Sequence, residues 1–386
     1  MKKFSTFLLL LFLFTLLHPL DGWAWVGLEL NGKGLWATQD YIPDGSSDGE
    51  LQYKLTGRFM LQERAGDFLF EGHLLGGVVG WSGTSGPIVL PTPSPFRVWD
   101  LETFRLHGAS MASFAELDRL QATLEKRTFR LTAGRQAVTW GNAYYFNIGD
   151  LFGAFPITDI SRLHKPGIDA VALTVPTGTF SELSAVGVPP GDDTGSAAAN
   201  FIFPVGEGTL GFVGGSILDD TEIGASYSID YKGTKIYSQL QYTDSVSNQE
   251  FGQFVLGAQR QLGMWTHFLG EFYYNGWGTT DPSKYPLLRQ SPRFQQGRAL
   301  TVGQWETALD LSYQVTPLLT GHSVGFINLT DPSMLLRLFG LYSLSDLSSL
   351  IGGVSYGFGA GPDGFEVKSE YGGLPLTFNL ELIVNL

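Results

Sequence analysis

Apolar and polar residues alternate along much of the chain. At the C-terminal end, every second residue from Leu376 to Leu386 is apolar, and Thr377, Asn379 and Glu381 lie between them. Successive side chains of a β-strand point to opposite faces, so this pattern predicts a strand with one apolar and one polar face. The same period of two recurs at residues 51–62, 222–231 and 302–315. The chain is therefore predicted to be all-β.

Segment length separates a membrane barrel from a soluble β-sandwich, which also alternates. The alternating segments reach 14 residues, as at 49–62 and 302–315. Soluble strands average about 5–6 residues, whereas a tilted strand needs about 9–11 to cross lipid. Tight connections such as 63–67 also alternate with long ones such as 139–167. These features predict a single transmembrane antiparallel β-barrel of about 18 strands (16–18) with short periplasmic turns and long extracellular loops.

One weakly alternating segment, residues 96–106, is assigned to an outer loop because an extra strand would break the even count expected for such a barrel.

The first 24 residues have the layout of an export signal. Lys2 and Lys3 precede an apolar run over 4–17, and Gly22-Trp23-Ala24 offers a cleavage site between small residues. This order is typical of a secretory signal peptide. A membrane anchor is the alternative, but the run is shorter than the roughly 20 residues that a spanning helix needs. The sequence thus predicts a signal peptide at 1–24 and an outer-membrane barrel at 25–386.

Composition and charge exclude several classes of site and partner. The chain has no Cys, which excludes a disulfide scaffold, a thiolate zinc site and a Cys nucleophile. Its net charge of −13 argues against a nucleic-acid partner, which needs a basic surface. We expect no cofactor and no metal. The expected partners are outer-membrane lipid, lipopolysaccharide and small solutes, with a second copy of the chain or a periplasmic or extracellular protein as further alternatives.

A barrel of 16–18 strands leaves an aqueous channel, so its inward-facing residues should line a pore. Basic residues cluster on the inward parity of the first third of the chain, and acidic ones follow from Glu222 onward. Walls of opposite charge would set the ion preference of such a pore, although each residue could instead form a bracing ion pair. The predicted pore-lining residues are Lys54, Arg58, Glu71, Arg130, Gln136, Asp230, Gln239, Gln241, Glu271, Glu306, Asp310 and Glu381.

The connection over residues 139–167 is long and rich in aromatic residues. A connection of this length is uncommon unless it is functional or disordered, and its aromatic content argues against disorder. We expect it to fold inward and constrict the pore. The alternatives are packing against the barrel rim and contact with lipopolysaccharide or a neighbouring subunit. Its charged residues predicted at the constriction are Asp150, Asp159, Arg162, His164 and Lys165.

The connection over residues 278–301 is basic, with Lys284, Arg289, Arg293 and Arg298 against Asp281. We expect it to face outward, toward anionic lipopolysaccharide.

A family resemblance rests on residues 114–176. Gly134-Arg135-Gln136 ends one predicted strand, Gly141 follows, and Gly167-Ile168-Asp169-Ala170-Val171 opens the next strand. This arrangement resembles the alginate-export family and its porin-like relatives. The resemblance implies an 18-stranded barrel that passes anionic polymers or small solutes by diffusion, and it implies a place for Arg135 in an arginine-rich lumen. By parity, Arg135 points inward only if a bulge lies near Gly134.

These features predict a porin in the outer membrane of a Gram-negative bacterium, with passive diffusion of small hydrophilic or charged solutes and no enzymatic activity. One alternative is a barrel that sheathes a partner, either an electron-transfer cytochrome or polymer-export machinery. The chain has no Cys-x-x-Cys-His motif, so any haem would belong to the partner. The other alternative is an outer-membrane hydrolase, in which His267 and Glu271 on one strand face would form an acid–base pair.

Overall fold

The computed structural model describes residues 23–37, 50–82, 94–157, 159, 162–191, 194–247, 249–364 and 366–386. Residues 1–22 of the predicted signal peptide lie outside the described residues. Trp23 and Ala24, at the predicted cleavage site, form the start of the first strand.

Nineteen strands make up almost all of the regular structure. They are β1 Trp23–Ala37, β2 Glu50–Ala65, β3 Phe68–Trp81, β4 Glu102–Leu106, β5 Met111–Lys126, β6 Phe129–Gln136, β7 Ile168–Gly178, β8 Ser181–Val188, β9 Ser196–Val205, β10 Gly208–Ile217, β11 Asp220–Tyr231, β12 Thr234–Ser245, β13 Gln249–Leu262, β14 Thr266–Asn275, β15 Trp305–Thr316, β16 Leu319–Asn328, β17 Ser333–Ser345, β18 Ser348–Phe358 and β19 Thr377–Asn385. A 3₁₀ turn at Pro282–Lys284 leads into two short helices, α1 Tyr285–Arg289 and α2 Pro292–Gln295. Across these described ranges, no helix is long and apolar enough to span a membrane.

The sheet closes on itself as an antiparallel barrel. Each strand pairs with its neighbours in the ring, and β19 pairs with β1 from Glu29 opposite Asn385 to Ala37 opposite Thr377. Eighteen of the 19 strands form the ring, and only β4 stands outside it. The predicted all-β barrel of about 18 strands is therefore confirmed.

The short strand β4 lies within residues 96–106, which we assigned to an outer loop. It pairs only with β5, for example Thr103 opposite Ala115. The reason is that β6 pairs with β5 only as far as Arg135 opposite Leu120, which leaves the next part of that β5 edge without a ring partner. The segment thus contains a strand after all, but the count of 18 in the ring is unchanged.

The long connections all lie at one end of the barrel, which also carries short ones at 218–219 and 329–332, whereas the other end has tight turns alone. All eight connections at one end, here called the turn end, have two or three residues, such as 66–67, 206–207 and 232–233. Gly66, Gly206 and Gly233 there have positive φ, which two-residue hairpins favour because their twist then matches that of the strands. The other end, here called the loop end, carries the long connections 137–167 and 276–304.

The outer face of the barrel is apolar and the inner face is polar. Leu240 and Leu380 are 58% and 56% exposed, whereas the adjacent inward residues Gln239 and Glu381 are 2% exposed. Exposed apolar side chains of this kind recur all around the ring. A soluble protein rarely exposes so much contiguous apolar surface, whereas a barrel in lipid requires it. The strands therefore have the pattern of transmembrane strands.

Candidate functional site

The connection over residues 139–167, here called the inner loop, crosses the barrel interior. It leaves the wall after β6 and returns at β7, whereas its side chains Tyr145, Phe146 and Ile157 pack against inward-facing residues of β13–β17 such as Tyr273 and Phe326. In a ring of 18 strands, β15 lies opposite β6. The inner loop thus reaches the far side of the bore.

A buried carboxylate on the far side holds the inner loop. Glu271 of β14 accepts hydrogen bonds from the backbone N–H groups of Tyr144, Tyr145 and Phe146 at 2.6, 2.9 and 2.8 Å. The hydroxyl group of Tyr237 donates to the same carboxylate at 2.5 Å. A buried carboxylate is tolerated only when such donors replace water. Glu271 therefore lies on the inner face, as its parity predicts, but it contacts the inner loop and not a water-filled pore.

Neighbouring wall residues extend this anchoring. The Asp310 carboxylate accepts from the Tyr145 hydroxyl at 2.9 Å. Gln239 of β12 accepts from the Gly149 N–H at 3.1 Å, and its amide donates to Asn147 at 2.9 Å. We call the inward side chains that hold the inner loop on β12–β15 the anchoring wall, which comprises Tyr237, Gln239, Glu271 and Asp310.

Gly141 allows the inner loop to approach this wall closely. Its φ is +82°, and a Cβ at this position would lie 2.0 Å from the Asn147 side-chain oxygen and 2.7 Å from the Gln239 amide nitrogen. Any side chain there would therefore displace the contacts that Asn147 and Gln239 make with each other.

A buried ion pair links the middle of the inner loop to its C-terminal end. Lys165 contacts Asp150 at 2.6 Å and also donates to the carbonyl of Val138, and both charged side chains are almost fully buried. Burial raises the pKa of Asp150 to about 6, although the nearby Lys165 ammonium acts in the opposite direction. Burial likewise lowers the pKa of Lys165. These two predicted constriction residues pair within the loop.

A charge network on β5 supports the loop from the near side. Arg58 contacts Asp118 at 2.6 Å, and Arg97 contacts Asp118 and Glu116 at 3.0 and 2.8 Å. The pairing of β3 with β5 shifts at this point, since His73 pairs with Arg119 but Leu74 pairs with Leu117. This bulge buries Asp118 inside. Simple parity misses Asp118, although the consecutive charges Asp118-Arg119 interrupt the alternation and could have signalled it.

The Arg135 side chain is buried against the strands of the barrel wall and does not project into open space. Its guanidinium donates to Asp169 at 2.7 and 2.8 Å and to the carbonyls of Leu117 and Trp99 at 3.1 and 2.6 Å, and the side chain is 1% exposed. The pairing of β6 with β5 and β7 runs through Gly134 without a register shift. Arg135 thus connects β6 to β5, β7 and segment 97–101 by buried hydrogen bonds, and its side chain is not exposed to the lumen.

Three predicted residues, Lys54, Glu381 and His164, instead lie close to β1. On β1, Lys33 is directly opposite Lys54 of β2 and Glu381 of β19. His164 of the inner loop contacts Glu29 of β1 at 2.8 Å. We call the wall part of this group, Glu29, Lys33, Lys54 and Glu381, the gap wall.

Two further charged residues of the inner loop, Asp159 and Arg162, lie near each other. The Arg162 guanidinium lies over the rings of Tyr144 and Tyr145, 4.9 and 4.8 Å from their centroids, and donates to the Tyr144 carbonyl. Burial raises the pKa of Asp159, and the positive charges of Lys33 and Lys54 act against that shift, together with those of Arg162 and Arg337. We call the region between Asp159, Arg162 and His164 on one side and the gap wall on the other the charged gap.

The remaining predicted residues lie in varied surroundings. Glu71 accepts from Gln121 at 3.0 Å, Gln136 donates to the Ala170 carbonyl at 2.8 Å, and Gln241 donates to Glu222 at 2.7 Å. Glu306 is buried and accepts from the Tyr371 hydroxyl at 3.1 Å. Arg130, near the start of β6, and Asp230, near the end of β11, are exposed at the turn end.

The basic connection over 278–301 differs from expectation, because two of its arginines turn inward. Arg293 contacts Asp220 and Glu222 at 2.9 and 3.1 Å, and Arg298 contacts the same two carboxylates at 2.7 and 2.8 Å. All four side chains are largely buried. The acidic residues of β11 neutralise these arginines, so neither is available to an outer anionic surface.

Two cavities flank the inner loop. The turn-end chamber, of about 720 Å³, is lined mainly by hydroxyl and amide side chains, among them Thr123, Thr174, Ser184, Asn200 and Ser228. The loop-end chamber, of about 650 Å³, is lined mainly by apolar side chains, among them Phe152, Phe155, Phe294, Leu300 and Leu374. An apolar cluster around Trp140 and Phe152 packs the loop against the wall of β7–β10. In the part of the chain that the structure describes, no group of three or more His, Asp or Glu side chains is placed to hold a metal ion.

Comparison with known proteins defines the fold but no family. No protein-family model and no curated protein matches the chain. The structure is similar to that of Pseudomonas aeruginosa OccK11 (OpdR), with 13% identity, a TM-score of 0.58 and coverage of 94% of this chain and 96% of that chain. P. aeruginosa OccK7 (OpdD) gives 12% identity, a TM-score of 0.58 and coverage of 95% and 99%. A Rh. blastica porin mutant is also similar, with 10% identity, a TM-score of 0.49 and coverage of 94% and 100%. The chain therefore has a porin-like β-barrel fold, and its resemblance to the alginate-export family stays a prediction.

Proposed function

We propose that this protein is an outer-membrane channel of a Gram-negative bacterium that passes small hydrophilic or charged solutes by passive diffusion. One observation carries the proposal: a closed 18-strand ring has an apolar outer face and a polar interior. Every backbone group of such a ring is paired, which lets it cross lipid, and a ring of this size is wider than its own side chains can fill.

The charged gap is the proposed route for solutes. The inner loop is bound to the anchoring wall by hydrogen bonds and an apolar cluster, so a solute has little room on that side. On the opposite side, Asp159, Arg162 and His164 would form the constriction, and Lys54 and Glu381 would line it. Because both signs of charge are present, we expect only a modest ion preference.

The two alternative functions are less well supported. A barrel that sheathes a partner needs an open bore, but the inner loop occupies the middle of this one. A hydrolase based on His267 and Glu271 needs a free carboxylate, but three backbone N–H groups and the Tyr237 hydroxyl already bond to Glu271. A carboxylate held in this way is a poor general base.

The surroundings of the barrel follow from the same proposal. The exposed apolar belt would contact outer-membrane lipid, and the loop end would face lipopolysaccharide and the exterior. Export through the signal peptide at 1–24, assembly of several copies and contact with a periplasmic or extracellular protein remain predictions from the sequence.

Conductance measurements test both the channel and its constriction. Purified protein in planar lipid bilayers should give stable open-channel currents. Replacing residues 142–163 by a short Gly-Ser linker should raise the single-channel conductance at least twofold, because the inner loop then no longer crosses the bore. A wild-type protein that inserts without conducting would overturn the channel, whereas unchanged conductance after the replacement would overturn only the constriction.

A further inference from the structure

We propose that the loop-end chamber captures small organic solutes that carry an apolar ring or chain beside a hydrogen-bonding end. This inference rests on the proposed channel function and names a class of solute for it. The chamber lies at the loop end and adjoins the charged gap, because Asp159 and His164 belong to both.

The size of the chamber suits a small organic molecule. Its volume of about 650 Å³ falls within the range of roughly 300–1,000 Å³ that is usual for ligand sites, which are also mainly apolar. The inner loop from Phe152 to Ile157 forms one side, α2 with Phe294 forms another, and residues 370–374 close a third. Three separate parts of the chain thus build one concave surface.

The lining offers apolar surface to a solute. Phe155, Phe294 and Leu300 line the chamber and are only partly buried, so part of each side chain remains accessible. Aromatic side chains bind apolar rings both by removing their surface from water and by stacking. Inorganic ions would gain nothing from an apolar lining at the entrance of a barrel with a polar interior.

Apart from Asp159, the charged groups on the lining are already engaged by the protein. Lys165 is paired with Asp150, and His164 contacts Glu29. Arg289 donates to the Glu370 carbonyl at 3.0 Å, and the Glu370 carboxylate accepts from the N–H groups of Val302 and Gly303. A solute that entered the chamber would therefore gain more from apolar contact than from new ion pairs.

The turn-end chamber has a more polar lining than the loop-end chamber. Its Ser, Thr and Asn side chains offer hydrogen bonds, and its apolar surface, from residues such as Leu69 and Trp140, is smaller than that of the loop-end chamber. A solute with both kinds of surface would bind at the loop end by its apolar part and leave through a compartment that retains it only weakly. Capture should therefore depend on the side from which the solute is added.

Paired probes that share one polar group test the inference. Phenyl β-glucoside and methyl β-glucoside are each added to one side of a bilayer that contains the wild-type channel, and the interruptions of the ion current are recorded. We expect phenyl β-glucoside to interrupt the current for about tenfold longer than methyl β-glucoside when it is added from one side, and to show a much smaller difference from the other side. The phenyl ring gains most apolar contact in the loop-end chamber, which a solute from the turn end reaches only through the charged gap.

Variants assign the effect to the chamber. Phe155→Ser and Phe294→Ser, made singly and together, should shorten the phenyl β-glucoside interruptions at least threefold relative to the wild type. Phe180→Ser is the matched control, because Phe180 is 86% exposed in a tight turn at the other end of the barrel. If the channel conducts but the two glucosides behave alike from both sides, the inference is overturned and the channel function stands. If the wild-type protein does not conduct, the channel function itself fails.

Discussion

The anchoring wall and the gap wall have the same sequence pattern but different surroundings. Both place charged or amide side chains among the residues of long strands that face into the barrel. On the anchoring wall, Glu271 and Asp310 accept hydrogen bonds from the inner loop. On the gap wall, Lys33 lies between Lys54 and Glu381 on the neighbouring strands, and the loop meets this wall through charged side chains.

The difference shows that an inward charge on a barrel strand has no fixed role. Its role depends on whether a loop from the opposite side reaches it. Where backbone N–H groups of the loop reach a carboxylate, as at Glu271, the carboxylate accepts the hydrogen bonds that water would otherwise accept, and it holds the loop. Where charged side chains arrive, as His164 does at Glu29, a single ion pair holds the loop, and Lys33 lies beside both a like charge, Lys54, and an opposite charge, Glu381.

Removing the central anchor should have the largest effect. Glu271→Ala removes the acceptor of three loop N–H groups and of the Tyr237 hydroxyl. Each buried donor left without a partner costs about 1–3 kcal/mol, so we expect the inner loop to detach from the anchoring wall. The expected result is at least a twofold rise in single-channel conductance, with frequent current fluctuations, and a lower free energy of unfolding in urea.

A glutamate outside the contact provides the control for that measurement. Glu182 lines the turn-end chamber and is exposed, so Glu182→Ala should leave both the conductance and the unfolding free energy near those of the wild type. If Glu271→Ala and Glu182→Ala behave alike, Glu271 does not hold the loop and the distinction between the two walls fails.

Charge reversal on the gap wall should have a smaller effect, and one of a different kind. Lys54→Glu replaces one of the two facing lysines by a carboxylate at the charged gap. We expect the permeability ratio of K⁺ to Cl⁻ to rise about twofold, because a fixed charge at a constriction changes the local ion concentrations. Conductance should change little, since the inner loop stays anchored. The reversal potential in a KCl gradient measures the ratio.

Arg130→Glu is the matched control for charge reversal. Arg130 has the same charge and the same predicted inward parity, but it lies at the turn end with its side chain 60% exposed. Bulk ions screen an exposed charge, so this variant should change the permeability ratio much less than Lys54→Glu does. An equal change in both variants would mean that selectivity is not set at the charged gap.

The sequence predicts the barrel well because strand and turn signals are local. The period of two assigns Gln239, Glu271 and Glu381 to the inner face, and glycines such as Gly66 place the tight turns. The inward path of the loop over 139–167 was expected from its aromatic content, and Tyr145 and Phe146 are the residues that pack against the far side.

The partners of the inward charges could not be predicted in this way. Glu271 and Phe146 are 125 residues apart, and nothing in the local pattern around either one indicates the other. The place of Asp118 depends on a register shift between β3 and β5, and that of Arg135 on segment 97–101, which packs beside it. Parity gives the face of a side chain, whereas its function depends on contacts between distant parts of the chain.

Weakening the loop contact at the gap wall should have the smallest effect. Glu29→Gln removes the negative charge from the 2.8 Å contact with His164 but keeps a hydrogen-bonding group of similar size. The side chains of His164 and Glu29 are 28% and 11% exposed in this contact, and the glutamine amide can still bond to the imidazole, so only the charge-dependent part of the interaction is lost. The free energy of unfolding in urea should therefore fall by less than about 1 kcal/mol, and the conductance should stay within a few tens of per cent of the wild type. A loss comparable to that of Glu271→Ala would show that the inner loop is held equally on both sides, in which case the solute route proposed along the gap wall would have to be abandoned.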